Sequence, residues 1–128
     1  MAGLLVSGEP LTSRAINLDE VGLTEHPAIG RYAHTHLGRT PAGTDLEVGV
    51  LHLSPGAQAH PVHTHVEEEL ITVLDGCGTL HLDGADHEVR AGAITYIAPH
   101  VPHVLRNTSA AVLTYQWVKW GAGSPPAG

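Results

Sequence analysis

The residues best placed to do chemistry lie in Gly56-Ala57-Gln58-Ala59-His60-Pro61-Val62-His63-Thr64-His65-Val66-Glu67-Glu68-Glu69, closed by Gly76. His63 and His65 are two residues apart, and a carboxylate follows at Glu69. In extended backbone, alternate side chains share a face, so the two imidazoles can enter one pocket. Two neutral imidazoles and a carboxylate that converge there suit a divalent metal ion, with a further ligand arriving from later in the chain. At period two, Glu68 would face away from Glu69. His60 is a candidate extra ligand in the approach loop. The alternative is a metal-free barrel with a polar mouth.

Such a site needs rigid strands to hold it, and the chain supplies them. Thr44 to Leu53 alternates Leu46, Val48 and Val50 with Asp45 and Glu47, which predicts a strand stopped by Ser54-Pro55-Gly56. Glu68 to Leu74 and Gly78 to Leu82 read as strands. Asp83-Gly84-Ala85-Asp86 reads as a hairpin turn with a return through His87-Glu88-Val89. Ala93 to Ala98, His103 to Asn107 and Ala111 to Trp120 complete the set. Upstream, Asn17-Leu18-Asp19-Glu20 suggests a short turn, and Tyr32 to Leu37 a short strand. That strand carries a second His-x-His pair, His34 and His36, with no carboxylate at useful spacing, so it reads as a strand with one polar face. Residues 1–10 read as a loose segment or edge strand. Short strands between Gly, Pro and Asp turns, with no sustained helical period, indicate an all-β sandwich or barrel.

Composition limits the function classes. The chain has 128 residues, which is room for one domain, taken here as 1–120 with a flexible tail at 121–128. Hydrophobic residues make up 42% and charged residues 15%, the balance of a folded globule. The formal net charge of −7 supplies no basic face for nucleic acid. A single cysteine, Cys77, excludes an intrachain disulfide and a cysteine-based zinc cluster. With no export signal and no long apolar run, the expectation is a cytoplasmic protein that does not enter a membrane.

A second spacing pattern follows the first: Gly92, Pro99, Pro102, His103, three residues, then Asn107. Together the two patterns resemble the two motifs of the cupin superfamily, small single-domain members in particular, over about Ser54 to Asn107. The resemblance implies a double-stranded β-helix (jelly-roll barrel) with His63, His65, Glu69 and His103 as ligands of one divalent ion: iron, manganese, zinc or nickel. There are departures. One extra residue precedes His63, Ala98 replaces the usual proline, and His100 replaces the usual glycine. His100 and Tyr96 are the candidate acid or base residues. Predicted inward positions are Val50, His52, Ile71, Val73, Tyr96, Leu105, Tyr115 and Trp117, and Arg106 is the candidate carboxylate anchor.

The resemblance implies metal-dependent chemistry on a small oxygen-rich substrate such as a hydroxy acid, keto acid, diketone or sugar acid. Dioxygenase, isomerase, lyase and cyclase reactions all fit. A non-catalytic, metal-dependent sensor is the alternative. Pairing as a homodimer through N-terminal strands is also expected from the family.

Overall fold

The computed structural model describes residues 9–121; the N-terminal segment 1–8 and the tail 122–128 lie outside the described residues. After a single 3-10 turn at Leu18–Glu20, the strands run β1 Thr24–His26, β2 Gly30–Arg39, β3 Asp45–Leu53, β4 Glu68–Asp75, β5 Cys77–Leu82, β6 Ala85–Arg90, β7 Ile94–Ile97, β8 His103–Arg106 and β9 Leu113–Trp120. They form a six-stranded sheet, β1-β2-β3-β9-β4-β7, and a three-stranded sheet, β6-β5-β8. All strand pairings are antiparallel. This is the expected all-β jelly roll.

The two sheets face each other across Leu51, Leu53, Ile71, Leu80, Ile97, Leu105, Leu113 and Tyr115. Burial of these side chains drives the closure, at ~25 cal/mol per Å² of apolar surface removed from water. Asp83 and Gly84 turn β5 into β6 with φ of 49° and 84°. That is the mirror-image turn whose twist matches a tight hairpin. Asn107 is 1% exposed and ties the end of β8 to its surroundings. Its Nδ2 donates to the carbonyls of Leu53 at 2.9 Å and Ala111 at 2.7 Å, and its Oδ1 accepts from Ser109 N and Oγ.

Two faces differ from expectation. On β3 the inward set is Leu51 and Leu53, with Glu47 in the cavity wall. Val50 and His52 therefore point outward, and His52 Nδ1 sits 3.0 Å from Thr114 Oγ1 on its cross-strand partner. On β7 Ile97 is fully buried, so its neighbour Tyr96 faces outward and is 52% exposed. Both errors have one cause. Each strand carries apolar residues on both faces, so alternation does not say which face is inside. The inner face of β3 is interrupted by Gly49 because the Trp117 ring lies against it; a Cβ there would come within 2.1 Å of that ring. The predicted inward positions Ile71, Val73, Leu105 and Tyr115 are buried, and Trp117 lines the cavity.

A candidate metal centre in the barrel

The segment 54–67, between β3 and β4, carries the His-x-His pair. It is a loop, not the regular strand that the spacing suggested. It nevertheless runs antiparallel beside β8 and is stitched to it along its length. Gly56 N donates to Asn107 O at 2.8 Å and Asn107 N to Ala57 O at 2.9 Å. Arg106 Nε donates to Gln58 Oε1 at 2.8 Å. His63 and His103 exchange backbone hydrogen bonds of 3.3 and 3.1 Å, and His100 N donates to His65 O at 2.8 Å.

This register explains the convergence. His63 and His103 are directly opposed in an isolated antiparallel bridge, and opposed residues place their side chains on the same face. Their ring centroids are 4.8 Å apart. His65, two residues on, returns to that face, with its ring 5.3 Å from His63 and 4.8 Å from His103. One potential ligand atom from each of His63, His65 and His103 lies within 4.8 Å of the others. Glu69, at the start of β4, enters from the adjoining sheet. Its Oε1 lies 2.8 Å from His65 Nε2 and 3.2 Å from His103 Nε2. It is 7% exposed.

The donor chemistry of the cluster fits a bound cation. His103 Nδ1 lies 2.8 Å from the Val101 carbonyl. His65 Nδ1 lies 3.0 Å from the Glu67 carbonyl. A carbonyl only accepts, so each Nδ1 carries the proton, and the neutral ring then presents a lone pair at Nε2. With both rings neutral, two nitrogen lone pairs would face one carboxylate oxygen at contact distance; with a ring protonated, its Nε2–H donates to that oxygen. Electron-pair donors crowd in this way when a positive charge lies between them, either a metal ion or additional protons. Carbonyls that fix the tautomer of a histidine are the usual outer support of a metal ligand.

The electrostatics follow from the crowding. Burial pushes the His63 pKa down to about 4, helped by the neighbouring imidazoles of His60, His103 and His65. Burial also lowers His60, against the pull of its bond to the Pro61 carbonyl. For Glu69, burial opposes the charge, but the bonds with His103 and His65 outweigh it and lower its pKa. For His103, burial favours the neutral ring, while the bonds to Glu69 and Val101 prevail and raise its pKa.

The cluster forms one wall of a cavity of about 310 Å³. His60 lines it too, its ring stacked on His63 at 3.6 Å and 17°. Tyr115 is another lining residue, and burial with the nearby Glu69 charge raises its pKa. The rest of the lining is aromatic and charged in part: Tyr32, His34, Trp117, Glu47 and Lys119. Sequence reasoning missed Glu47, His34 and Lys119. His34 does find a carboxylate, but from another strand, with Nδ1 3.2 Å from Glu47 Oε2. Lys119 was readable: it lies two residues past Trp117 and four past Tyr115, on the same face.

The structure does not bring Tyr96 or His100 to this cavity. The Tyr96 hydroxyl donates to Glu68 Oε1 at 2.6 Å on the outside of the sheet, and that bond raises its pKa. His100 is exposed, with φ of 65°. This is the left-handed backbone for which glycine is the usual residue. Arg106 is not among the lining residues either, and its Nε is bonded to Gln58.

Comparison with known proteins agrees with the fold. The cupin domain family model matches residues 49–119. A cupin protein from Bacteroides fragilis superposes with a TM-score of 0.57 and 31% identity, covering 64% of this chain and 70% of that one. A Cupin 2 conserved barrel domain protein from Salinispora arenicola gives a TM-score of 0.61 at 23% identity, covering 87% and 91%. The dimethylsulfoniopropionate lyase DddW of Ruegeria pomeroyi is 36% identical over 66 residues, 52% of this chain. The matched stretch is only 43% of that lyase's length. Sheet order, opposed histidines and matched motif region lead to one assignment: the chain belongs to the cupin family.

Proposed function

We propose that His63, His65, His103 and Glu69 hold one divalent metal ion, and that the chain is a metal-dependent enzyme that cleaves a bond in a small oxygen-bearing substrate without consuming oxygen. The observation that carries this reading is the crowding of the His65 and His103 Nε2 atoms on one Glu69 oxygen, while each ring's Nδ1 is tied to a carbonyl. When bound, such an ion supplies Lewis acidity to oxygens of the substrate.

The rest falls to the chain's own residues. β8 and the segment 54–67 hold the imidazoles in register. Glu69 contributes a negative charge that offsets part of the ion's charge. Leu51 and Trp117 give the lining an apolar portion. His60 and Tyr115 are side chains of the lining that can carry a proton. A cavity of about 310 Å³ suits a small molecule. Bond cleavage is favoured over the other cupin reactions by the likeness to a lyase.

The test uses protein stripped of metal and reloaded separately with iron(II), manganese(II), nickel(II) or zinc(II). Each form is offered dimethylsulfoniopropionate and a panel of small hydroxy and keto acids, with products and dissolved oxygen followed together. The expected result is metal-dependent turnover with no oxygen uptake. Oxygen consumed in step with product would replace cleavage with dioxygenation. Tight ligand binding without turnover on any metal would make the chain a binding module.

A further inference from the structure

We propose that Lys119 anchors a carboxylate group of the substrate, an inference that rests on the cavity being the metal-dependent site described above. Lys119 is the only lysine in the chain, and among the lining residues it is the only lysine or arginine. The cavity thus has one permanent cation in its wall, on the same face of β9 as Tyr115 and Trp117.

Its position is set by register. The Cα of Lys119 is paired with Glu47 on β3 and with Glu69 on β4. The ammonium lies 3.3 Å from Glu47 Oε1, and the other Glu47 oxygen is held by His34. Glu47 thereby keeps the cation close to Glu69 while leaving the Glu69 oxygen to His65 and His103. An ammonium has three N–H donors, and Glu47 engages one. The side chain is 25% exposed, so a ligand in the cavity can approach its ammonium.

Cα atoms of opposed strand residues are ~4.5–5.5 Å apart, so Lys119 and Glu69, the acid of the cluster, are neighbours across one strand spacing. A molecule a few atoms long can reach both. A carboxylate arriving there finds a cation that is already partly desolvated and fixed by an ion pair, and shares it with Glu47. A neutral amide of the same shape gains only ordinary hydrogen bonds. A cationic head group gains no bond from the ammonium. The site therefore selects a small organic acid oriented with its acid group towards Lys119.

The test is a titration of propionate and of propionamide into metal-free and zinc-loaded protein, with zinc affinity and circular dichroism recorded for every variant. Wild-type protein is expected to prefer propionate by about tenfold or more, the scale of one charge-assisted hydrogen bond. Lys119→Met should abolish that preference, and Lys119→Arg should restore most of it. Glu47→Gln should tighten propionate binding several-fold, because the competing carboxylate is gone. This opposite sign cannot come from a variant that has merely lost its fold. The proposal is overturned if folded Lys119→Met keeps the preference with zinc affinity within about twofold of wild type, or if Glu47→Gln weakens propionate binding. If zinc does not bind wild-type protein, the metal reading falls, and the metal-free titration still decides the role of Lys119. If Lys119→Met does not fold, Lys119→Arg and Glu47→Gln decide it.

Discussion

The backbone amide of His100 donates to the carbonyl of His65 at 2.8 Å, while the His100 side chain stands in solvent. What reaches the candidate metal centre from position 100 is its peptide group, in the left-handed conformation at φ 65°. His100→Gly keeps that N–H and relieves a strain of ~1–2 kcal/mol, offset by the greater entropy of glycine in the unfolded chain. The expected outcome in urea denaturation is unchanged stability or a gain of up to about 1 kcal/mol, with metal affinity retained. His100→Pro cannot adopt positive φ and lacks the N–H, and should weaken both stability and metal binding.

Metal removal should lower thermal stability. An ion that binds only the folded protein adds about 2.7 kcal/mol at a concentration of 100 times its Kd. Zinc or nickel titrated into stripped wild-type protein should therefore raise Tm in a concentration-dependent way, and a chelator should reverse the rise. His103→Ala removes the ring directly opposed to His63 and should eliminate the rise. A dose-dependent Tm that persists in this variant would count against the proposed ligand set.

Asn107 is expected to be among the most sensitive positions outside the cluster. It satisfies two carbonyls and accepts two bonds while almost fully buried. Asn107→Ala leaves buried carbonyls without their donor, at ~1–3 kcal/mol for each unsatisfied group. Denaturant midpoints should fall accordingly. A loss below about 0.5 kcal/mol would show that water replaces the amide without penalty.

Gly49→Ala tests the part of the cavity lining formed by Trp117. The new Cβ would meet the Trp117 ring at 2.1 Å, so the indole must move. Overpacking of this kind costs ~1–3 kcal/mol. Trp117 fluorescence should shift, and ligand affinity should drop more than zinc affinity, because the indole lines the cavity and is not one of the proposed metal ligands. An unchanged emission spectrum would show that the backbone of β3 yields instead.

Much of the architecture was legible because local chemistry dictates it. Turn residues at Asp83-Gly84 and the apolar runs of β4, β5 and β9 fall where the sequence places them. The early strands were harder. β1 is three exposed residues with no apolar signal, and β2 extends beyond both ends of the expected Tyr32 to Leu37 because pairing with β3 stabilises its flanks. The outward turn of Val50, His52 and Tyr96 was invisible for a different reason. The face a two-sided strand presents to the core is decided by what packs on it, and on β3 that was the Trp117 ring and the Lys119 ammonium.

The spacing of His63, His65 and Glu69, and the presence of a later His-x3-Asn, are properties of the chain itself. Period and turn chemistry act over a few residues, so the sequence alone determined which of these groups are present and how far apart they lie along the chain. Only the tertiary structure decided that His63 stands directly across from His103, that Glu69 arrives from the other sheet, and that Lys119 meets Glu47. Those meetings depend on register between segments distant along the chain. Register is set by the closed core and the backbone hydrogen bonds, and no local pattern encodes it.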